Sequence, residues 1–320
     1  MDPAAGHQTC LCACSQCPFE VTVVQAVILA AGRGSRLEPV THHISKPLIP
    51  FWGRPFITHL LENLEGFVDE VIIVDGPEQE IEAVLGDSHE SLPLRYAVQH
   101  DPLGTGDALL RARDMLDDPF IMMLGDTCPP PATIRELIEA SGDAVLTTVR
   151  VDDIENHGGV AIDNHGRVTA LWTDDETVDA GMIRMTSHVC DLLETLEPFR
   201  GELRILQGIN AMIEAGDDVR GIVMPGPWLQ FGDHEHLDGV LRVMRQIRNG
   251  EASEEQFEGS CVEVAESRDC MIRNSLVFGP GELVNCTITD SMVYCATRLE
   301  GVQIHGEMTA YGGHEGSDSD

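Results

Sequence analysis

A glycine-rich loop beside a cluster of basic residues is the first feature of the sequence that could carry chemistry. The stretch AVILAAGRGSRLEPVTHHISKPLIP, residues 26–50, contains Lys46, the one lysine among 20 basic residues. Between Gly32 and Phe56 four bases stand against one acid, although the formal net charge of the chain is −34. Backbone amides and bases in such a loop suit an anionic ligand. The loop therefore predicts phosphate binding; the alternative is that the arginines only cap and solvate it.

Two later stretches could complete such a site. Asp126 follows the apolar run FIMML, and ligands of open α/β sheets bind at the carboxyl ends of the strands. A carboxylate at that edge could bind Mg²⁺, and the alternative is a helix cap. The stretch VQHDPLGTGDAL, residues 98–109, contains a tight LGTG turn that opens a helix. GRGSRL matches only two glycines of the G-x-G-x-x-G pattern, which disfavours a dinucleotide-binding turn.

Alternating strand and helix patterns must position these residues. Apolar runs bounded by turn residues alternate with amphipathic segments of helical length, which predicts repeated βα units. Strands are expected at 25–30, 69–75, 94–99 and 120–126, and helices at 55–67, 78–86, 106–116 and 131–141. Shorter strands follow around a hairpin at 164–166, then helices at 187–196, 202–214 and 235–248. The fold class is α/β, with a mainly parallel, doubly wound sheet.

The C-terminal part contains an internal repeat. Rows of 16 residues starting at 258, 274 and 290 bring apolar residues into columns, among them Ile272, Ile288 and Ile304. A fixed apolar period indicates stacked coils and hence a short β-solenoid; the alternative is an irregular β-rich tail. The expected domains are a tail or mis-called start at 1–23, a main domain at 24–249, an acidic linker at 250–257, the solenoid at 258–310 and an acidic tail at 311–320.

Composition limits the partners. With 54 acidic against 20 basic residues, nucleic acid and anionic membranes are disfavoured because both are polyanions. An acidic chain with one lysine is typical of a cytoplasmic protein from a high-salt organism. No apolar run of membrane-spanning length and no secretion signal are present, which also favours the cytoplasm.

Cysteines have two expected roles. Four of the ten lie in CLCACSQC at 10, 12, 14 and 17, where the spacing fits no paired metal-finger pattern. We interpret residues 1–23 as a tail or as untranslated sequence before Val24. The other six are expected to be small core residues.

The signature around Lys46 resembles that of the sugar-1-phosphate nucleotidyltransferases. In that family L-A-A-G-x-G-[ST]-R-L precedes a P-x-T element and P-K-P, and here the chain reads LAAGRGSRLEPVTHHISKPL, with Ser45 replacing the first proline. The resemblance covers roughly 24–248. It implies that the nucleotide is bound by Ala30, Ala31, Gly32, Gly34, Ser35, Gln99, Gly104, Thr105 and Gly106. It also implies catalytic roles for Arg36, Lys46 and Asp126, with Asp126 as a Mg²⁺ ligand.

The expected sugar-phosphate site departs from the family pattern. An E-x-K or E-K element is replaced by the region of Thr173, Asp174 and Asp175, and the family's asparagine two residues before Gly181 is Asp179. The W-x-D-x-G-T element that supplies a second metal ligand reads WLQFGD. The sugar-phosphate candidates are therefore Gly158, Asp179, Gly181 and Arg184, and the second metal ligand is Gln230 or Asp233. His234 and His236 are interpreted as a solvated cap.

Together these features predict Mg²⁺-dependent transfer from an NTP to a sugar 1-phosphate, releasing pyrophosphate and an NDP-sugar. The resemblance favours UTP or dTTP and glucose 1-phosphate. The solenoid is expected to mediate homo-oligomer assembly. Because the sugar site departs from the pattern, two alternatives remain: a non-catalytic homologue that binds nucleotide or sugar phosphate, and transfer to another acceptor such as a polyol phosphate.

Overall fold

The computed structural model describes residues 25–151, 158–224, 230, 240, 241, 243 and 260–312. The tail cysteines, Asp233, His234, His236 and the expected linker lie outside these residues. Val240, Leu241 and Val243 are helical and buried, within the helix expected at 235–248. No helix in the described part of the chain is long and apolar enough to span a membrane.

The main domain alternates strands and helices. Its strands are β1 (Gln25–Leu29), β2 (Pro50–Phe51), β3 (Arg54–Pro55), β4 (Glu70–Asp75), β5 (Ser88–His89), β6 (Leu92–Val98), β7 (Phe120–Leu124), β8 (Ala144–Arg150), β9 (Gly159–Ile162), β10 (Val168–Thr173), β11 (Thr177–Met185) and β12 (Val219–Val223). Its helices are α1 (Phe56–Leu64), α2 (Glu80–Leu85), α3 (Thr105–Ala112), α4 (Pro131–Glu139), α5 (His188–Leu193) and α6 (Ile205–Ala215). Short 3-10 helices cover Ser35–Leu37, Val40–His42, Lys46–Leu48 and Arg113–Met115.

The centre of the large sheet is parallel, as expected. Strands β6, β4, β1 and β7 lie side by side in that order and run in the same direction. Because strand side chains alternate between faces, Val27 and Leu29 pack against α3, α5 and α6, whereas Ala26 and Ile28 pack against α1 and α4. Apolar burial on both faces confirms the predicted α/β class.

Beyond β7 the sheet becomes antiparallel. Strand β11 pairs antiparallel with β7 and β8, and β9 and β10 extend the sheet from β11. The start of β11 therefore lies at the carboxyl end of β7, and its end lies at the opposite edge of the sheet. Strand β12, which pairs with β8, was not predicted, because VRGIV places arginine and glycine inside a short run.

The C-terminal strands stack in parallel, as the repeat predicted. Three small sheets are formed by β13 (Cys261–Glu263), β14 (Glu266–Arg268), β15 (Met271–Arg273), β16 (Leu276–Phe278), β17 (Glu282–Val284), β18 (Thr287–Thr289), β19 (Met292–Cys295), β20 (Arg298–Glu300), β21 (Gln303–His305) and β22 (Met308–Tyr311). Ile272, Ile288 and Ile304 stack in one column. In the first coil Cys261 pairs with Leu276, one residue out of step with the later coils, because the corner at Gly279–Gly281 holds an extra residue.

The described cysteines confirm their expected role. All six are buried and free: Cys128, Cys190, Cys261, Cys270, Cys286 and Cys295. Burial raises the pKa of the Cys128 thiol to about 12 and that of the Cys190 thiol to about 11, so neither is a reactive thiolate at neutral pH.

Candidate active site

A cavity of about 570 Å³ opens at the carboxyl ends of the parallel strands. It brings together residues from five separate stretches of the chain, namely the glycine loop, the Lys46 segment, the stretch from Gln99 through the LGTG turn, the end of β7 and the loop before α6. Of the expected catalytic and nucleotide-binding residues, Gly106 alone is not at its surface. The lining residues with expected roles are Ala30, Ala31, Gly32, Gly34, Ser35, Arg36, Lys46, Gln99, Gly104, Thr105 and Asp126.

The glycine loop is held tightly against the segment that carries Lys46. Gly34 has a φ of 65°, and a Cβ there would lie 3.0 Å from Thr41 Cγ2 and 3.1 Å from Lys46 Cβ. The Gly34 carbonyl accepts hydrogen bonds from the Leu37 amide at 2.8 Å and from Thr41 Oγ1 at 3.0 Å. Glycine is therefore required both by the left-handed conformation and by the close approach of the lysine.

Lys46 and Asp126 form an ion pair across the cavity. Nζ of Lys46 lies 2.6 Å from Oδ2 of Asp126, and the two side chains are 14% and 22% exposed. Nε2 of Gln230 lies 3.4 Å from the other oxygen, Oδ1. The backbone of Gln230 forms an isolated bridge with Thr127, which places it beside Asp126.

The residues around Asp126 fit a metal that is shared with a ligand. Among the described residues no cluster of three or more His, Cys, Asp or Glu could hold a metal ion by itself. Mg²⁺ in phosphate sites is commonly bound by one or two carboxylates, with substrate phosphates completing the shell. One accessible carboxylate with an amide beside it provides that partial donor set.

The amide of Gln99 is buried and its orientation is fixed. Its Nε2 donates to the Gly104 carbonyl at 3.1 Å and to Oδ2 of Asp107 at 2.8 Å. Since a backbone carbonyl and a carboxylate oxygen both accept hydrogen bonds, the amide nitrogen of Gln99 must face them. Asp107 is also held by an ion pair with Arg111. Oε1, an acceptor, is therefore the atom that Gln99 can present to a ligand.

The LGTG turn needs its glycines because another segment packs against it. A Cβ on Gly104 would lie 2.4 Å from the Leu203 carbonyl, and one on Gly106 would lie 3.0 Å from it. The amide of Gly106 donates to that carbonyl at 2.8 Å, and the Ile205 amide donates to Thr105 Oγ1 at 3.0 Å. Gly106 therefore contributes to packing beneath the cavity.

Two charged residues of the cavity lining were not predicted from the sequence. Glu202 and Arg204 enter the cavity from the segment that packs on the LGTG turn. Nη2 of Arg204 lies 3.0 Å from Oε2 of Glu202, and both side chains are about half exposed. No pattern in this loop separates these two side chains from the other surface acids and bases. Their position follows from the long-range contact of Leu203 with Leu103.

The expected sugar-phosphate residues separate into two groups. Gly181 lies at the carboxyl edge, where a Cβ would be 2.9 Å from Leu124 Cδ1 and 3.1 Å from Thr127 Cγ2. Gly158 lies against Trp172, whose Cδ1 is 2.5 Å from the position of a Cβ. Asp179 Oδ1 is enclosed and has no hydrogen-bond partner in the described residues. Burial raises the pKa of Asp179 to about 7, although the Gly181 amide acts in the opposite direction.

Arg184 is at the wrong edge of the sheet to contact a sugar phosphate. It pairs with Ile121 near the start of β7, because β11 runs antiparallel to β7. Its buried guanidinium donates to the carbonyls of Ala140 at 2.7 Å and Gly142 at 3.2 Å. The expectation for Arg184 is therefore corrected to a structural role at the end of α4.

Comparisons with known proteins agree with this cavity. Residues 25–246 match the family model described as Nucleotidyl transferase. A glucose-1-phosphate thymidylyltransferase of Streptomyces griseus is 30% identical over 88% of this chain and 89% of its own. The low-salt glycan biosynthesis nucleotidyltransferase Agl11 of Haloferax volcanii is 32% identical over 76% of this chain and 73% of its own.

Other matches cover the main domain. The chain spans about half the length of a bifunctional GlmU of Methanococcus maripaludis, covering 51% of it at 30% identity. A solved structure from Bacillus anthracis, assigned as a glucose-1-phosphate thymidylyltransferase and determined with sucrose, superposes with a TM-score of 0.63. It is 26% identical and covers 72% of this chain and 98% of its own. The chain therefore belongs to the nucleotidyl transferase family, among the sugar-1-phosphate nucleotidyltransferases, as its signature implied.

Proposed function

We propose that the chain transfers a nucleotidyl group from UTP or dTTP to a sugar 1-phosphate, with glucose 1-phosphate as the leading acceptor. The Lys46–Asp126 pair is the observation that carries this proposal. Nζ of Lys46 and Oδ2 of Asp126 lie 2.6 Å apart, beside a glycine loop and inside one cavity, which supports phosphate binding by Lys46 and metal binding by Asp126. The relative from Streptomyces griseus is named glucose-1-phosphate thymidylyltransferase, which supports dTTP as the donor and glucose 1-phosphate as the acceptor.

The reaction needs positioning and charge neutralisation. An oxygen of the sugar phosphate attacks the α-phosphorus in line, and the bond from that phosphorus to the bridging oxygen of the leaving pyrophosphate breaks. Arg36 and Lys46 stabilise the charge that develops on pyrophosphate. Asp126, with Gln230 as a second ligand, would hold Mg²⁺, which would supply further neutralisation of the phosphate charge.

The ion pair also bears on how the two residues would meet the nucleotide. Lys46 and Asp126 are partners of each other inside the cleft. The triphosphate of a bound nucleoside triphosphate carries more negative charge than the Asp126 carboxylate, so the Lys46 ammonium turns to the phosphates. This exchange frees Asp126 as a ligand at the same moment that the nucleotide arrives.

Gln99 supports a uracil or thymine base. The N3–H of these bases can donate a hydrogen bond to Oε1 of Gln99, whereas N3 of cytosine is itself an acceptor. Asp107 and the Gly104 carbonyl hold the amide in the required orientation. Mismatched acceptors facing each other in a buried site are costly.

Arg204 supports the contact that was expected of Arg184. Among the described cavity-lining residues it is the one basic side chain outside the segment from Arg33 to Lys46. We therefore assign the acceptor phosphate to Arg204, which pairs with Glu202 beside the cavity.

A non-catalytic nucleotide-binding role is the second candidate. It is favoured by Gln230, an amide where the family pattern has a metal-binding aspartate. The test is to incubate the protein in high salt with Mg²⁺, each NTP and several sugar 1-phosphates, and to measure pyrophosphate. Release only with a matched pair supports transfer; binding of nucleotide without release supports the second candidate. Release of pyrophosphate with polyol phosphates alone would show that the acceptor is a polyol phosphate and not a sugar 1-phosphate.

The setting of the enzyme is also a proposal. The net charge of −34 and the single lysine support a high-salt cytoplasm. In the described solenoid β20, β21 and β22 each pair on one side only, which supports assembly through this end. The domain limits expected at 24–249 and 258–310 stay predictions, because much of the stretch between them lies outside the described residues.

A further inference from the structure

The segment that carries Lys46 lies between the main domain and the solenoid. Apolar side chains from residues 37–56 share one buried cluster with one sheet of the solenoid. The segment contributes Leu37, Val40, Ile49, Phe51 and Phe56, and the solenoid contributes Cys261, Leu276, Phe278 and Met292. The solenoid thus forms part of the support of the phosphate-binding segment.

A ring stack joins the two parts just before Lys46. The imidazole of His43 lies over the phenol ring of Tyr294 with centroids 4.8 Å apart and planes 9° apart. Tyr294 in turn contacts Phe278 edge to face at 5.7 Å. Because Phe278 is buried in the shared cluster, the stack connects His43 to the solenoid core.

Two backbone hydrogen bonds join the parts again just after Lys46. The amide of Trp52 donates to Cys261 Sγ at 3.1 Å, and the amide of Gly53 donates to Glu263 Oε1 at 2.6 Å. On the opposite side, the amide and hydroxyl of Ser45 both donate to Glu80 Oε2, at 3.0 and 2.6 Å. The backbone around Lys46 is therefore restrained from both domains.

We infer that the solenoid positions Lys46 for nucleotide binding, with His43 and Tyr294 as the positioning residues that transmit this restraint. The inference rests on the role proposed above for Lys46 and extends the solenoid's function beyond assembly. The stack lies three residues from Lys46, and neither ring is among the described residues that line the cavity. Its loss should displace the lysine while leaving the remaining phosphate and base contacts in place.

The single lysine allows a direct test. Protein labelled with ¹³Cε-lysine gives one lysine resonance, which reports the environment of Lys46; the Lys46→Arg variant identifies it by loss of the signal. In Tyr294→Ala and in His43→Ala we expect this resonance to shift or broaden, and Tyr294→Phe, which keeps the ring, should retain the parent signal. The double variant should move the resonance no further than either single change.

Turnover is measured alongside. We expect kcat to fall between about 10-fold and 100-fold in Tyr294→Ala, since misplacement of a contact by 1 Å can cost about 10²-fold. The KM for sugar phosphate should stay unchanged and Tyr294→Phe should restore kcat. Leu299→Ala is the matched control, because it removes a buried solenoid residue from another sheet. It should lower the melting temperature without changing kcat or the resonance.

The outcomes separate two failures. If the lysine resonance and kcat of Tyr294→Ala and His43→Ala match the parent while the melting temperature falls, the stack is only structural and the inference is wrong. If the resonance moves but neither these variants nor Lys46→Ala change turnover, the positioning stands and the proposed role of Lys46 fails.

Discussion

Nζ of Lys46 lies 2.6 Å from Oδ2 of Asp126, so the single lysine of the chain forms an ion pair with the carboxylate that follows β7. The contact joins residues that lie far apart in the sequence and on different elements, the 3-10 helix Lys46–Leu48 and the loop after β7. We expect Lys46 to exchange this partner for a phosphate of the nucleotide, and Asp126 to exchange it for Mg²⁺.

Replacing the lysine tests its role. Lys46→Ala should reduce kcat by about 10²-fold to 10³-fold, as does loss of a charge-stabilising donor in other sites. Lys46→Arg keeps the charge but not the compact ammonium, and we expect a loss of about 10-fold to 100-fold from misplacement. Pyrophosphate release under saturating substrates gives kcat. Arg298→Gln on the solenoid surface is the control; full activity of Lys46→Arg would show that lysine is not needed.

Asp126→Asn should uncouple the enzyme from Mg²⁺. The neutral amide cannot supply the carboxylate that the ion requires, so turnover should fall by about 10²-fold or more, as for other preorganised electrostatic contacts. Melting curves should show an intact fold, because the side chain is partly exposed. A Mg²⁺ titration of pyrophosphate release measures the change, with Gln230→Ala for comparison. Unchanged Mg²⁺ dependence in both variants would place the ion elsewhere.

Asp107→Asn should weaken discrimination between UTP and CTP. An asparagine at this position can offer either a donor or an acceptor to Gln99, so the Gly104 carbonyl alone would still favour the present orientation of the Gln99 amide. We expect the ratio of kcat/KM for UTP to that for CTP to fall by about 10-fold, the value of one hydrogen bond. Arg111→Ala, which leaves the carboxylate in place, should keep the ratio. An unchanged ratio in Asp107→Asn would remove Gln99 from base recognition.

Asp179→Asn should change the pH dependence of stability. The pKa of Asp179 is raised to about 7 from 3.8, so within this window the folded state holds a proton that the unfolded chain has lost. The free energy of unfolding of the parent therefore falls as pH rises through the window. We expect the melting temperature of the variant minus that of the parent to increase from about pH 4 to about pH 7. Above about pH 7 this difference should stay constant.

Asp163→Asn provides a control of opposite sign. Amides of Arg167 and His165 lower the pKa of Asp163, so its charged form stabilises the fold above pH 3.8 and this contribution is lost as pH falls below that value. Its variant should be less stable than the parent at neutral pH. If the difference in melting temperature between Asp179→Asn and the parent did not change with pH, the raised pKa of the enclosed Asp179 carboxyl would be wrong.

Arg204→Gln should weaken acceptor binding. Loss of a charge-assisted hydrogen bond costs about 1.5–3 kcal/mol, which corresponds to about 10-fold to 100-fold in the KM for the sugar phosphate. The KM for the NTP should change little. Steady-state kinetics with each substrate varied distinguishes the two, and Arg220→Gln, outside the cavity lining, is the control. An equal rise in both KM values would assign Arg204 to the nucleotide instead.

Local patterns predicted the parallel core and the glycine-rich loop that lines the cavity. Apolar runs such as QAVIL are strands because both faces are buried, and the signature placed Gly34 and Lys46 correctly in one cavity. The direction of β11 relative to β7 could not be predicted in the same way. Arg184 was assigned from its position along β11, but that strand runs opposite to β7, so the side chain lies at the far edge.

Contacts between residues that lie far apart in the sequence could not be predicted from local patterns either. Arg204 reaches the cavity because Leu203 pairs with Leu103, about a hundred residues earlier, and no local period encodes that contact. The His43–Tyr294 stack depends on how the solenoid lies on the main domain, which the 16-residue repeat does not specify. The repeat itself was predicted because its columns depend only on spacing.

The central place of β1 has a consequence for biosynthesis. This strand is made first, yet its pairing with Phe120–Leu124 needs chain that leaves the ribosome about a hundred residues later. Until then its fully buried sequence QAVIL has at most one neighbour. Such non-local pairing slows folding and exposes apolar strand edges to other nascent chains. Repulsion between copies with a net charge of −34 opposes that association at low ionic strength, but high salt screens it, so association of nascent chains should rise with the salt concentration.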